Sequence, residues 1–161
     1  MFVPVLPVYF YGVLRTRKLL YFTATNPSID MGGFFGEHKD EILDLIPAAY
    51  KVIGIHITEF KTEQEFDVLL QSQNLKFPLV AKPNVGERGE GVKIVHSMED
   101  LVAYGNTESD YIIQEYIDYQ LELGVLFYKY PNDVNGRVSS ITLKEFLTVK
   151  GDGASSVEQL L

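Results

Sequence analysis

The sequence predicts an α+β fold that combines a small antiparallel sheet with short helices. Residues 77–95 predict two strands around a loop with three glycines, because Val92-Lys-Ile-Val95 alternates as a strand does. Thr62-Glu-Gln-Glu65 and Ser97-Met-Glu-Asp100 are typical helix starts on either side of that hairpin. Further along, Asn135-Gly136 is typical of a second hairpin turn.

The segment before this hairpin is harder to interpret. The first thirty-odd residues are rich in aromatic and β-branched residues and are broken by prolines, which predicts irregular or strand-like structure. Residues 37–46 carry apolar side chains at helical spacing, and Pro47 ends that helix. Val52-Ile-Gly-Ile-His-Ile57 predicts a buried strand, in which His56 is a satisfied core histidine.

The segment after residue 110 predicts mostly strands. They are expected at residues 110–117 and 121–130, followed by one long strand from Arg137 to Val149. Because Lys144 and Lys150 have the same parity on that long strand, they are expected to share a face. They are interpreted either as solvated lysines or as groups that neutralise phosphate.

The predicted organisation has three parts. Residues 1–59 form an N-terminal segment packed on the core, residues 60–120 a lobe with the glycine hairpin, and residues 121–161 the start of a second lobe. Ser155-Ser-Val-Glu158 starts a helix close to the last residue of the sequence, so we expect this chain to be a fragment of a longer protein.

Composition excludes several classes of function. A net charge of −8 argues against a general nucleic-acid or anionic-membrane surface. No cysteine is present, which excludes disulfides, thiolate metal sites and a cysteine nucleophile, and three scattered histidines do not predict a zinc site. The apolar start, up to residue 14, is too short for a membrane span. A soluble cytoplasmic protein is the expectation.

The glycine hairpin is the strongest candidate for a functional site. Its glycines allow backbone N–H groups to approach an anion, and Lys82 ends the preceding apolar strand with a mobile positive charge. Because a strand follows the loop, a Walker or dinucleotide-binding loop is excluded. Arg88 at the loop tip is interpreted as a bidentate phosphate ligand or as a solvated side chain. The structural alternative is a tight exposed hairpin with incidental charge.

The strand Tyr111-Ile-Ile-Gln-Glu-Tyr-Ile117 is a second candidate. Beside a flat ligand it offers backbone groups and the Gln114 side chain to an adenine edge, with apolar flanks for the ring. Glu122 follows at a distance suited to a ribose hydroxyl. The alternative interpretation is an ordinary amphipathic strand.

Together these features resemble the ATP-grasp superfamily, in order as well as in kind. Phe77-Pro-Leu-Val-Ala-Lys82-Pro precedes Gly86-Glu-Arg-Gly-Glu-Gly91-Val, and the strand ending in Gln-Glu-Tyr-Ile117 follows. Val149-Lys-Gly-Asp-Gly-Ala-Ser-Ser-Val-Glu-Gln-Leu160 is similar to a segment of D-alanine–D-alanine ligase-like and cyanophycin-synthetase-like members. The resemblance covers residue 50 to the end and implies an ATP-grasp-type lobe plus part of the adjoining lobe.

The resemblance implies a nucleotide-binding role for individual residues. Lys82 would contact phosphate, Glu87 to Gly91 (with Arg88 and Gly89) would supply backbone amides, and Gln114 would face the adenine amino group. Glu115 and Ile117 would serve adenine through backbone atoms, and Glu122 would hold the ribose. Lys51 is a candidate first phosphate lysine, and Lys144 matches a basic residue near the terminal phosphate.

The resemblance also implies a reaction. ATP would phosphorylate a carboxylate, and an amine would displace phosphate from the acylphosphate, with Mg²⁺ bridging the phosphates. Gln114 stands where many relatives carry glutamate, and the loop lacks the paired serines of D-alanine ligases. No metal ligand is predicted, because the relatives' acidic residue and Glu-x-Asn segment have no match here. We expect the magnesium ligands outside this chain.

The predicted partners follow from this interpretation. They are a nucleotide, small carboxylate and amine substrates, and either the remainder of the C-terminal lobe or a second copy of the chain. The alternative functions are a non-catalytic nucleotide-binding or interaction module and a structural domain without a ligand.

Overall fold

The computed structural model describes residues 3–34, 36–86, 89–145 and 148–160. The chain divides into two compact units, residues 1–116 and residues 117–161. Helices alternate with antiparallel strands in the first unit, and the second contains an antiparallel strand pair and a short helix. This combination confirms the predicted α+β class. Within the described residues, no helix has both the length and the apolar composition needed to cross a membrane.

A four-stranded antiparallel sheet forms the centre of the first unit. Its strands, in spatial order, are β1 (Gly54–Ile57), β4 (Tyr111–Glu115), β2 (Leu79–Pro83) and β3 (Lys93–Val95). The predicted hairpin is confirmed, because β2 and β3 are antiparallel neighbours joined by the glycine loop. The central pair therefore consists of the hairpin strand that carries Lys82 and the strand that carries Gln114.

Two helices cover one face of this sheet and complete the core. Helix α3 (Glu63–Ser72) begins with the predicted capping box, and Ser97 caps helix α4 (Met98–Gly105) by accepting from the Asp100 N–H. The buried side chains of these helices pack against the sheet, and the cluster comprises Ile57, Phe66, Leu70, Leu75, Leu79, Ala81, Val95, Leu101, Tyr104, Tyr111 and Ile113. The opposite face, which we call the open face because neither of these helices covers it, carries Lys82, Ile112 and Gln114. The side chains of Ile112 and Gln114 are nevertheless buried.

The prediction of irregular or strand-like structure near the N-terminus is wrong. Residues Leu6–Thr16 form helix α1, and shorter 3-10 turns follow at Tyr21–Thr25 and Asp30–Gly33. Pro7 does not prevent the helix because it lies in the first turn, where a backbone N–H has no helical partner to lose. The aromatic side chains pack on one another instead of forming a strand face, with rings of Phe22 and Phe34 4.9 Å apart.

A short helix, α2 (Lys39–Asp44), lies between this region and the sheet in the chain. The sequence predicts it over residues 37–46, and the structure confirms a shorter version. Its first residue, Lys39, and its second, Asp40, both bond to residue 84 at the end of β2.

The second unit is built on a two-stranded antiparallel ribbon, followed by the short helix α5 (Val157–Leu160). Strand β5 (Glu122–Tyr128) pairs with β6 (Arg137–Lys144), which confirms the predicted hairpin. Asn135-Gly136 ends the connection between them and does not form a two-residue turn by itself. Strand β6 ends at Lys144, so the prediction of one strand reaching Val149 is wrong, and Lys144 and Lys150 do not share a strand.

The hydroxyl of Tyr111 provides a test of this core. It is buried and has no hydrogen-bond partner among the described residues, and it lies where a Cβ added to Gly105 would approach within 2.7 Å. Tyr111→Phe is expected to leave the free energy of unfolding unchanged or to raise it by up to about 1 kcal/mol. The reason is that the buried hydroxyl gives up its hydrogen bonds to water on folding and gains none in return.

Gly105→Ala supplies the matched variant, measured by urea unfolding. It is expected to cost about 1–3 kcal/mol in the presence of the Tyr111 hydroxyl, because the added methyl group overpacks the core. The cost should disappear in the Tyr111→Phe background, where the nearest ring carbon is 3.6 Å from that Cβ position. An equal cost in both backgrounds contradicts this packing.

Candidate functional site

The open face of the sheet brings together two residues that the sequence singles out separately. In the sheet register, Lys82 lies opposite Ile112, and Gln114 lies opposite Val80. Side chains of directly paired residues point to the same face, and alternate residues along a strand share it. Lys82 and Gln114 therefore share the face opposite the helical core, on adjacent strands.

The glycine loop is held at both of its ends. Lys39 Nζ donates to the Gly86 carbonyl at 2.8 Å, and the Tyr104 hydroxyl donates to the Gly91 carbonyl at 2.9 Å. Burial raises the pKa of Tyr104 to about 12, so this hydroxyl keeps its proton at neutral pH. The predicted ligand residues Glu87 and Arg88 lie outside the described residues.

Two glycines of the loop have conformations that favour glycine. Gly89 and Gly91 have φ values of +79° and +72°, which residues with a Cβ rarely adopt. At Gly91 an added Cβ would also lie 2.6 Å from the Pro83 side chain. The close packing of Gly91 on Pro83 explains part of the glycine requirement at the base of the loop.

Lys82 and Lys39 form a pair of positive charges next to the loop. Partial burial, and secondarily the Lys39 charge, hold the pKa of Lys82 below its ordinary value. An uncompensated positive charge in a half-buried position attracts an anion. Lys39 lies in the helix predicted over residues 37–46, but the sequence indicated no role for it. Lys39 is 47 positions from Gly86, and no local pattern reports such a contact.

Lys51, the predicted first phosphate lysine, has a different neighbour. Its Nζ lies 2.6 Å from the Asp44 carboxylate. It lines a cleft of about 110 Å³ together with His56 and Gly54 of β1. The lysine that bonds to the glycine loop in this structure is Lys39 rather than Lys51.

Most residues of the strand that carries Gln114 are buried. Gln114 is only 6% exposed, and its side chain lies over Gly54, where an added Cβ would come within 2.8 Å of Gln114 Cγ. The Glu115 N–H donates to the Ile53 carbonyl, and the Glu115 carboxylate accepts from the Ile53 N–H. A backbone contribution from Glu115 to a ligand would therefore have to come from its carbonyl. Ile117 follows the strand and is exposed.

Glu122 and Lys144 lie in the second unit and pair with each other. They are register partners at one end of the ribbon, and Lys144 Nζ donates to Glu122 Oε1 at 2.7 Å. Both side chains are about half exposed. Their predicted roles at ribose and phosphate remain predictions.

A polar network lies at the end of β2, next to the loop. His56 contacts two carboxylates, with Nδ1 3.0 Å from Asp40 and Nε2 2.6 Å from Asp110. Asn84, which is fully buried, lies 3.3 Å from His56 Nε2. The sequence predicts a satisfied histidine here but not the residues that satisfy it.

In the part of the chain that the structure describes, no group of three or more histidine, aspartate or glutamate side chains could hold a metal ion. We assign no magnesium ligand among the described residues and derive no step through this ion.

Comparison with known proteins adds an independent result. Residues 47–121 match the Tubulin-tyrosine ligase family. The matched segment contains the whole central sheet with the glycine hairpin and the strand of Gln114. This family is ATP-grasp-like, and the match supports the ATP-grasp interpretation of the sequence. Among curated proteins, none matches the chain.

Two solved structures are similar to parts of the chain. The D-alanine–D-alanine ligase from Helicobacter pylori is 17% identical, with a TM-score of 0.41 over 65% of this chain and 33% of that protein. The enzyme from Bacillus anthracis is 19% identical, with a TM-score of 0.40 over 69% of this chain and 41% of that protein. The chain thus spans well under half the length of either ligase.

The charge of Lys82 should make the ligand-free protein less stable. A lysine whose pKa is lowered by folding costs stability wherever it is charged in both states, and this cost disappears as the pH rises through the ordinary value of 10.5. Lys82→Met is therefore expected to raise Tm at pH 7 by roughly 1–3 °C. The gain should fade towards pH 10.5.

Thermal unfolding followed by circular dichroism measures this effect. Lys76→Met is the matched control, because Lys76 is an exposed lysine that precedes the same strand. It should leave Tm unchanged. A lower Tm for Lys82→Met at pH 7 would contradict the electrostatic account of this site.

Proposed function

We propose that this chain is the ATP-binding part of an ATP-dependent carboxylate–amine ligase. The observation that carries the proposal is the pair of ammonium groups, Lys39 and Lys82, beside the base of a glycine hairpin on the open face of the sheet. The match to a ligase family over the same segment supports it.

The phosphate groups of ATP would bind at the two lysines and the glycine loop. Lys39 Nζ has three N–H donors, and the described residues use two of them, for the carbonyls of Asn84 and Gly86. The third can donate to a phosphate oxygen. Lys82 contributes a positive charge that is only partly hydrated, so an anion binds there more strongly than at an exposed lysine. Glu87 to Gly91 would supply backbone N–H groups.

The adenine base is assigned to β4 and the residues directly after it, and the ribose is assigned to Glu122 further along the chain. Gln114 would hydrogen-bond the adenine amino group, and Glu115 and Ile117 would contribute backbone atoms. Glu122 would hold the ribose and Lys144 would lie near the terminal phosphate, both on the resemblance alone. Lys51, which is paired with Asp44, keeps its predicted role as a first phosphate lysine on the resemblance alone.

The proposed reaction has two balanced steps. A substrate carboxylate attacks the terminal phosphorus of ATP, forming an acylphosphate and releasing ADP. An amine then attacks the acyl carbon, the amide bond forms as the bond to phosphate breaks, and the leaving phosphate carries away the proton that the nitrogen loses. The lysines would stabilise the negative charge on the transferred phosphoryl group, and the closed loop would exclude water that hydrolyses the intermediate. ATP carries magnesium in enzymes of the resembled family, and no step is assigned to that ion here.

Binding of ATP tests the proposal first. Isothermal titration calorimetry of the whole chain with ATP is expected to show saturable binding. Lys82→Met and Lys39→Met should each weaken the affinity by about tenfold or more, because a hydrogen bond to a charged group contributes roughly 1.5–3 kcal/mol. Lys76→Met, the exposed control, should bind as the unchanged protein does.

The titration, together with an assay of ADP release, separates three outcomes. If the unchanged chain binds no ATP, the nucleotide-binding proposal is wrong. If ATP binds but no ADP forms when amino acids and small carboxylates are supplied, the chain behaves as a non-catalytic nucleotide-binding module. Release of ADP that requires both a carboxylate and an amine supports the ligase.

A further inference from the structure

Asn84 is an unusual residue to find at the base of the glycine loop. It follows Lys82 and Pro83 and has no exposed surface, although its side chain is polar. A buried amide is costly unless its hydrogen bonds are made. The hydrogen bonds of Asn84 therefore show which parts of the structure this residue joins.

The first of these bonds caps helix α2. The preceding residue, His38, provides no side-chain cap for the described helix, so the free N–H groups of its first turn need another acceptor. Asn84 Oδ1 accepts from the Asp40 N–H at 3.0 Å. The cap thus comes from a residue 44 positions away, at the end of β2.

The carbonyl of Asn84 binds the lysine of that same turn. It accepts from the Lys39 N–H at 3.2 Å and from Lys39 Nζ at 3.1 Å. Lys39 Nζ then reaches the Gly86 carbonyl, two residues further along the loop. The backbone N–H and the side-chain Nζ of Lys39 are therefore both hydrogen-bonded to the base of the glycine loop.

The remaining atoms of Asn84 fix its own orientation. Nδ2 lies 3.3 Å from His38 Nδ1 and from His56 Nε2, and the backbone N–H donates to the Asp110 carbonyl at 3.0 Å. Because Oδ1 faces the Asp40 N–H, a flipped amide would place two donors against each other. The Asp40 N–H at the start of α2 thus holds the amide in one orientation.

Two physical effects oppose the position of Lys39 beside Lys82. Lys39 and Lys82 carry like charges close enough to interact, and a lysine side chain loses rotamer entropy when it is fixed in one position. Both effects favour release of Lys39 into solvent. Docking of the first turn of α2 on Asn84 opposes them before any ligand binds.

We propose that Asn84 is a positioning residue for the nucleotide site, which caps helix α2 and thereby holds Lys39 at the glycine loop beside Lys82. The inference rests on the proposed function for the part that concerns ATP. Asn84 itself has no exposed atom with which to contact a phosphate. Its effect on nucleotide binding therefore passes through Lys39.

A double-mutant cycle, measured by ATP titrations of the whole chain, tests whether the effect of Asn84 on ATP binding depends on Lys39. Asn84→Ala should weaken ATP affinity by about fivefold or more when Lys39 is present, a coupling typical of linked sites. In the Lys39→Met background, Asn84→Ala should cause no further loss. Equal losses in the two backgrounds, or unchanged affinity in Asn84→Ala, would overturn the inference.

A second measurement needs no nucleotide. Hydrogen exchange of the ligand-free protein should be faster in residues 38–45 of Asn84→Ala than in the unchanged chain, while residues 63–72 of α3 keep their protection. Asn132→Ala makes the same substitution at an exposed asparagine and should change neither segment. If Asn84→Ala does not fold, Asn84→Ser, which keeps a hydroxyl acceptor, should show a smaller increase in the same segment.

The two measurements separate the inference from the function on which it rests. Unchanged exchange in residues 38–45 of a folded Asn84 variant overturns the inference whatever ATP does. Faster exchange there, with no ATP binding by the unchanged chain, supports docking of α2 by Asn84 and rejects the proposed function.

Discussion

The site depends on the contact between Lys39 Nζ and the carbonyls of Asn84 and Gly86. This contact joins a short helix to the end of a central strand and to the loop that follows it. It holds two positive charges close together, an arrangement that is costly without an anion and favourable with one. The rest of the first unit supports it. Helices α3 and α4 pack on the sheet that carries this contact, and the Tyr104 hydroxyl bonds to the other end of the loop.

Local patterns were enough to predict much of this structure. The alternation of Val92 to Val95 distinguished a hairpin from a helix-opening loop. The capping box located α3, and the Ser97 cap located α4. The placement of Lys82 and Gln114 on one face also follows from parity, once their strands are paired. These features depend on residues within a few positions of each other, which is the range that a single sequence reports.

The features that sequence analysis missed are non-local. The Lys39 and Asn84 contacts span more than 40 positions, and α2 is capped by a residue from another element. Neither arrangement leaves a periodic signal. The error near the N-terminus has another cause, because β-branched and aromatic residues favour strands only on a pleated surface with neighbours. There the rings of Tyr9, Tyr21 and Phe22 contact one another beside a helix that tolerates Pro7 in its first turn.

The central claim is that the open sheet face with Lys39 and Lys82 receives the nucleotide. Backbone amide chemical shifts during an ATP titration test it most directly, because each described residue is a separate reporter. The account predicts saturable shifts at Lys39, in residues 80–86 and in residues 112–117, none in residues 9–25, and loss of these shifts in Lys82→Met. Saturable shifts confined to other residues, or none at all, would contradict it.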